Sequence, residues 1–171
     1  FAAGMGLIGF GTLALLGSDV GVWHFSALCL GLAAGSGGFL VVNFPPARLF
    51  LGDVGATTSG FIAGAMICWA DVYRVFPWWV GVMVFSPFIV DASVTLIRRA
   101  FARERIWEAH RSHFYQRLVG LGWSHRRTVV YAYALMIYSA ALALIANTAP
   151  PWVQWVMVSL LAVTYTAIMV L

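Results

Sequence analysis

The sequence predicts an all-α fold: a polytopic membrane helix bundle of about six transmembrane helices plus a short interfacial helix. Three observations carry that expectation. Hydrophobic residues make up 62% of the 171-residue chain and charged residues 9%, and the mean hydropathy is +0.89. A soluble domain carries roughly a quarter charged residues, so a water-soluble fold would have too little polar surface to cover such a core. The apolar stretches run continuously over lengths suited to helices crossing hydrocarbon, roughly 17 to 25 residues, and the alternation of a membrane β-barrel is absent.

Taken in order, the candidate spans are residues 1–17, 23–42, 59–73, 77–97, 129–147 and 152–171. The first two are separated by a short loop containing Asp19. Pro45 and Pro46 end the second, because proline offers no backbone N–H and disfavours helix in the residue before it. The third is the shortest, and Asp71 and Arg74 mark its far end. The fourth runs into the arginine pair Arg98 and Arg99. Between it and the fifth lies a polar segment, 98–128, in which Trp107, Phe114, Leu118 and Leu121 recur at spacings of 7, 4 and 3. That stripe predicts a short helix lying in the interface. Gly31 with Gly35, and Gly60 with Gly64, stand four apart and predict close helix packing inside the bundle. Cys29 and Cys68 fall inside apolar runs without metal-type spacing and read as packing residues. The whole of 1–171 therefore reads as a single membrane domain with two polar loops, 43–58 and 98–128. The chain opens on Phe1, with no basic leader and no cleavage site, so it is expected to be the C-terminal part of a longer polypeptide.

Charge sorts the loops by side. All ten basic residues are arginine. Segment 98–128 holds Arg98, Arg99, Arg103, Arg105, Arg111, Arg117, Arg126 and Arg127 against Glu104 and Glu108; loop 43–58 holds Arg48 and Asp53. The opposite loops hold Asp19, Asp71 and Arg74. Two spans separate the two unusual loops, so both meet one compartment, and the positive-inside rule makes it the cytoplasm.

The chemistry-bearing residues concentrate on that side. In "PPARLFLGDVGATTSG", Gly52, Asp53 and Gly55 stand where a helix begins. Freed backbone N–H groups and the positive end of a helix dipole suit a phosphate there. Asp53 could hold magnesium, which takes one or two carboxylates plus substrate phosphates; it also has the composition of an ordinary helix cap. Asp91 lies inside the fourth span, where an ionisable group costs something like 2.5–3.5 kcal/mol and by default marks a site. Thr95 and Arg98 share its helical face, and a pairing of Asp91 with Arg98 or Arg99 is the plainer alternative. His110 and His113 stand three apart with Arg111 between them, donors suited to a phosphorylated ligand. A basic helix on anionic headgroups explains the same residues. The run "HRSH" lacks the HExxH arrangement of a zinc hydrolase, and His24 and His125 stand alone.

Together, "NFPPARLFLGDVGATTSGF", "DASVTLIRR" and "HRSHFYQRL" resemble the polyprenyl-phosphate N-acetylhexosamine-1-phosphate transferase family, of glycosyltransferase family 4 type. The likeness runs from the first span to the fifth, with three motifs in the family's order. It implies transfer of N-acetylhexosamine-1-phosphate from a UDP-sugar to undecaprenyl or another polyprenyl phosphate, with release of UMP, as the initiating step of cell-envelope glycan synthesis. It also implies a bacterial inner membrane location and a cytoplasmic active site. By the same resemblance Asp53 matches the aspartate that serves Mg2+ (or Mn2+), with Leu51 replacing the motif's methionine. Asn43 matches the asparagine before the Pro-Ala segment, and His110, Arg111 and His113 match the histidine-rich loop that would grip the nucleotide's phosphates. Substrate contacts are further expected at Gly52, Gly55, Asp91 and Arg98, with the lipid tail in a groove between helices. The family's aspartate pair and its Asn-Phe-x-Asp-Gly stretch have no match within 1–171, so this chain by itself is expected to be inactive. The partners implied are UDP-N-acetylhexosamine, polyprenyl phosphate and membrane lipid, with no nucleic acid; a homodimer stays open. The rival reading is a non-enzymatic transporter or scaffold with a basic cytoplasmic loop.

Overall fold

A computed structural model describes residues 1–104 and 114–170, with side chains except at 114–116 and 170. Seven helices are found among the described residues, in the order α1 (Ala2–Asp19), α2 (Trp23–Asn43), α3 (Gly52–Val72), α4 (Trp78–Phe101), α5 (Phe114–Gly120), α6 (His125–Thr148) and α7 (Pro151–Val170). No strand occurs among them. Five helices, α1, α2, α4, α6 and α7, are long and apolar enough to cross a membrane. The sequence predicts six. The difference is α3, 21 residues long but opening on "GDVGATTSG", whose small polar residues dilute its apolar half below the others.

The bundle is built around α1, which packs on α2, α3, α4 and α6. Within the spanning stretches, 61% of α1 is buried against 11% of α7. The reason is its side chains: Gly4 faces Tyr133, Gly6 faces Ser36 and Gly9 faces Phe85, each so closely that an added Cβ would collide. Small residues let helices approach where lipid offers no hydrophobic drive for association. The core that results joins Leu13, Leu16, Phe25, Cys29, Val80, Val84 and Met136, all fully buried. Phe10 meets Phe85 edge-on at 5.7 Å, and Phe25 meets Trp69 and Phe76 at 5.6 and 5.9 Å. Such aromatic pairs add to the burial of their area.

The glycine pairs read from spacing do not perform this packing. A Cβ on Gly31, Gly35, Gly60 or Gly64 would meet nothing within 4 Å. Spacing of four fixes which residues share a face, but not which face finds a neighbour.

The connections fix direction. Between α1 and α2 the turn closes through Val22 N–H to the Gly17 carbonyl, with Gly21 at φ +75°. Between α3 and α4, Trp78 N–H donates to the Asp71 carboxylate at 2.9 Å. Asp71 is thereby a loop staple. Helices α1 with α2, α3 with α4 and α6 with α7 form antiparallel pairs, so the bundle has two distinct ends. One carries the exposed aromatics Trp23, Tyr73, Trp78, Trp152 and Trp155, an interfacial belt of the type that sits at headgroup level. The other gathers the α2–α3 loop, the C-terminus of α4 with Arg98 and Arg99, helix α5 and the start of α6.

That second end also carries the short helix expected from the stripe. Leu118 is half-buried beside α6 and Leu121 is exposed; Trp107 lies outside the described residues. At the start of α6, the Ser124 hydroxyl accepts from Arg127 N–H at 3.2 Å, a helix N-cap. The Arg127 guanidinium lies over the Trp123 ring at 4.3 Å.

Candidate active site

The α2–α3 loop is tied to the helix it leaves by three bonds. Phe44 N–H donates to the Leu40 carbonyl at 2.8 Å and Arg48 N–H to the Val42 carbonyl at 2.9 Å. The Asn43 side-chain amide reaches across six residues to the Leu49 carbonyl at 2.7 Å. The chain makes a cis Pro45–Pro46 bond within the loop. Gly52 then opens α3 at φ +68°, the left-handed region that costs any residue with a Cβ. Gly55 is tight for a different reason: a Cβ there would sit 2.6 Å from Leu51 Cγ.

Asp53 therefore stands in the first turn of a helix and not in the loop, because α3 starts at Gly52, ahead of the expected 59. It is not the helix cap. Leu51 occupies that position, with no side-chain cap bond. The Asp53 carboxylate is exposed, and among the described residues no hydrogen bond or ion pair engages it. A carboxylate in a helix's first turn faces the positive end of the helix dipole.

On the same face of α3, one turn on from Asp53, Ala56 begins the lining of an apolar cavity of about 740 Å³. The cavity runs between α1, α3 and α4, past Met5, Gly60, Gly64, Phe85 and Phe88. Gly60 and Gly64 thus leave space in its wall. Their role was legible only as "small residue"; the neighbour they lack decided the rest.

The other expected site residues are placed separately. Asp91 is half-buried in α4, one turn before the buried Thr95. Arg98 is exposed and donates Nη2 to the Met169 carbonyl at 3.3 Å, tying α4 to the C-terminus of α7. Arg99 is buried and pairs with Glu104 at 2.9 Å. His110, Arg111 and His113 lie outside the described residues. Among the described residues, no group of three His, Cys, Asp or Glu is gathered to hold a metal. A site completed by substrate phosphates and water needs only one or two carboxylates, and Asp53, exposed and uncommitted, fits that donor set.

Residues 1–71, from α1 through the Asn43 loop and Asp53 to the end of α3, match the profile of glycosyl transferase family 4. The chain is similar to this family over that stretch. Among its relatives is a probable undecaprenyl-phosphate N-acetylglucosaminyl 1-phosphate transferase of Bacillus subtilis, 27% identical over 95% of the chain and 46% of the relative. A phospho-N-acetylmuramoyl-pentapeptide-transferase of Moorella thermoacetica is 32% identical over 81% of the chain and 42% of the relative. A decaprenyl-phosphate N-acetylglucosaminephosphotransferase of Mycobacterium tuberculosis is 28% identical over 85% and 42%. The chain thus spans less than half the length of these family members. No solved structure matches it. The five helices able to cross a membrane, with membrane-enzyme relatives, indicate a multi-pass membrane protein.

Proposed function

We propose that this chain forms part of a transferase that moves N-acetylhexosamine-1-phosphate from a UDP-sugar to a polyprenyl phosphate at the cytoplasmic face of a bacterial plasma membrane. The observation that carries this reading is the placement of Asp53. It stands as an uncommitted carboxylate in the first turn of α3, at the end of an apolar groove between α1, α3 and α4. A phosphate-metal position beside a lipid-sized slot is what a reaction joining a water-soluble anion to a membrane anchor requires.

An oxygen of the lipid phosphate forms the new bond to the phosphorus that carries the sugar. The phosphoanhydride bond to UMP breaks, and UMP leaves with the electron pair. Asp53 would hold Mg2+, with Mn2+ as its substitute; such an ion, when bound, offsets the repulsion between two anionic phosphates. The chain's own residues do the rest. The groove takes part of the prenyl tail and keeps its phosphate at the membrane boundary. Asn43 and Gly52 hold the entry to α3 so that Asp53 faces that boundary. His110, Arg111 and His113 grip the departing nucleotide's phosphates, where positive donors stabilise developing charge. The arginine-rich end of the bundle supports a cytoplasmic site by the positive-inside rule.

The test is UMP release by the full-length protein in vesicles containing undecaprenyl phosphate, across a panel of UDP-sugars. Chelation of divalent ions should stop it. Asp53→Asn should lower turnover by roughly 100-fold or more, the scale of losing a group that stabilises developing charge. A polypeptide ending at residues 1 and 171 should release none. Undiminished turnover in Asp53→Asn would exclude Asp53 as the metal carboxylate.

A further inference from the structure

Pro87 interrupts α4 in the middle of the bundle. Having no N–H, it leaves the Met83 carbonyl without its helical donor. In a bundle surrounded by lipid no water is at hand to repair this. The Ser86 hydroxyl fills the gap, bonding the Met83 carbonyl at 2.6 Å. Its oxygen is met in turn by the Tyr165 hydroxyl of α7 at 2.7 Å, and Tyr165 is met by the Ser139 hydroxyl of α6 at 3.2 Å. Ser86, Tyr165 and Ser139 are all buried, at 7%, 9% and 0% exposure.

Counting protons gives this cluster a direction. Three hydroxyls have three protons, and each hydroxyl also offers an acceptor oxygen. The Met83 carbonyl has lost its backbone donor, so the Ser86 proton belongs there. The Tyr165 proton then goes to Ser86. The Ser139 hydroxyl donates to the Leu135 carbonyl at 2.9 Å, whose second lone pair is free beside the ladder N–H, so its contact with Tyr165 at 3.2 Å is the longer and weaker one. The relay runs Tyr165 to Ser86 to the Met83 carbonyl, with Ser139 of α6 touching Tyr165 from the other side, so that α6, α7 and α4 are joined.

What the relay holds in place is one wall of the groove. Just past the break, Phe88, Ile89 and Ala92 line the cavity, as Phe85 does just before it. Phe85 packs on Phe10, and Phe88 stacks on Phe1 at 5.1 Å. The α1 side is thus fixed by aromatic contact and the opposite side by hydrogen bonds through Tyr165.

We propose that Tyr165 is a positioning residue for the polyprenyl-phosphate acceptor, setting the shape of the α4 wall through the proline break without touching the lipid. This rests on the transferase reading above. The test uses the full-length protein in nanodiscs, with undecaprenyl phosphate as acceptor and UDP-N-acetylglucosamine as donor. Tyr165→Phe keeps the ring and removes the relay's first hydroxyl. The KM for the acceptor should rise roughly threefold to tenfold, the range expected for one lost hydrogen bond, while kcat and the donor's KM hold. Ser139→Ala, which removes only the longer contact to Tyr165, should move the same KM less. Independently of activity, Ser86→Ala should lower the melting temperature more when residue 87 is proline than beside Pro87→Ala, which restores the N–H to the Met83 carbonyl and leaves only the Tyr165 bond to lose.

A lowered melting temperature in Tyr165→Phe with an unchanged acceptor KM would overturn the proposal and leave a purely structural tie. Equal cost of Ser86→Ala in both backgrounds would overturn the proton assignment. A wild-type protein that transfers nothing to undecaprenyl phosphate would overturn the transferase reading and this proposal together, and is told apart because the parent itself is silent.

Discussion

Asn43 and Gly52 shape the two ends of the loop that leads to Asp53. The Asn43 amide closes the loop on the Leu49 carbonyl, so Asn43→Ala should free the segment that contains Arg48. Arg48 is exposed and is the one basic residue between 43 and 58. Trypsin applied to that side of the membrane should cut after it roughly threefold to tenfold faster in the variant, on the scale of one hydrogen bond. An unchanged cutting rate would show that the clasp holds nothing. Gly52 makes a separate demand, because its φ of +68° is one that a Cβ opposes. Gly52→Ala should cost about 1–2 kcal/mol, read as a lower midpoint of unfolding, and Gly52→Asn should cost less because asparagine tolerates that region. The glycine frame marked Asp53 as a candidate. The exclusion of the cap reading was not legible there, since only the backbone shows that Leu51 takes the cap position.

At the scale of the element, α1 and α3 separate pattern from packing. Both carry glycines, yet those of α1 face Tyr133, Ser36 and Phe85 whereas Gly60 and Gly64 of α3 face open space. Gly9→Ala should therefore destabilise the bundle by about 1–3 kcal/mol, the usual cost of overpacking. Gly31→Ala, on a face with nothing within 4 Å, should leave the unfolding midpoint unchanged. Equal effects would refute the assignment of α1 as the close-packed helix. Helix α3 also shows why span counting by hydropathy stumbles here. Its first turns carry Asp53, two threonines and a serine, and these polar residues at the loop end are the ones that lower its apolarity.

For the whole molecule, the decisive property is that the bundle has unlike ends. Helices α3 and α4 form an antiparallel pair, joined by Trp78 N–H on Asp71. This returns the end of α4 to the level of Asp53, although α3 falls short of the apolarity of the other five. With Cys29 and Cys68 replaced by serine, single cysteines at Arg48 and Arg103 should react with a membrane-impermeant maleimide from one side. A cysteine at Arg74 should react only from the other. Labelling of positions 48 and 103 from opposite sides would remove α3 from the membrane and break the shared face.

The sequence by itself determined the class of the molecule, because a chain this apolar and this poor in charge dissolves only in lipid. It also determined where α2 and α6 stop, since the prolines that follow end them by local chemistry, and it marked Asp53 by its glycine setting. Tertiary structure alone decided which glycines carry close contacts, that Gly60 and Gly64 open onto a groove, and that Asn43 clasps its own loop. It alone brought Ser86, Tyr165 and Ser139, spread over 79 residues of chain, to one hydroxyl cluster. The physical reason is common to all of these. Local pattern fixes a residue's face on its helix, but the neighbour that face meets depends on how separate helices cross, and no single segment encodes that.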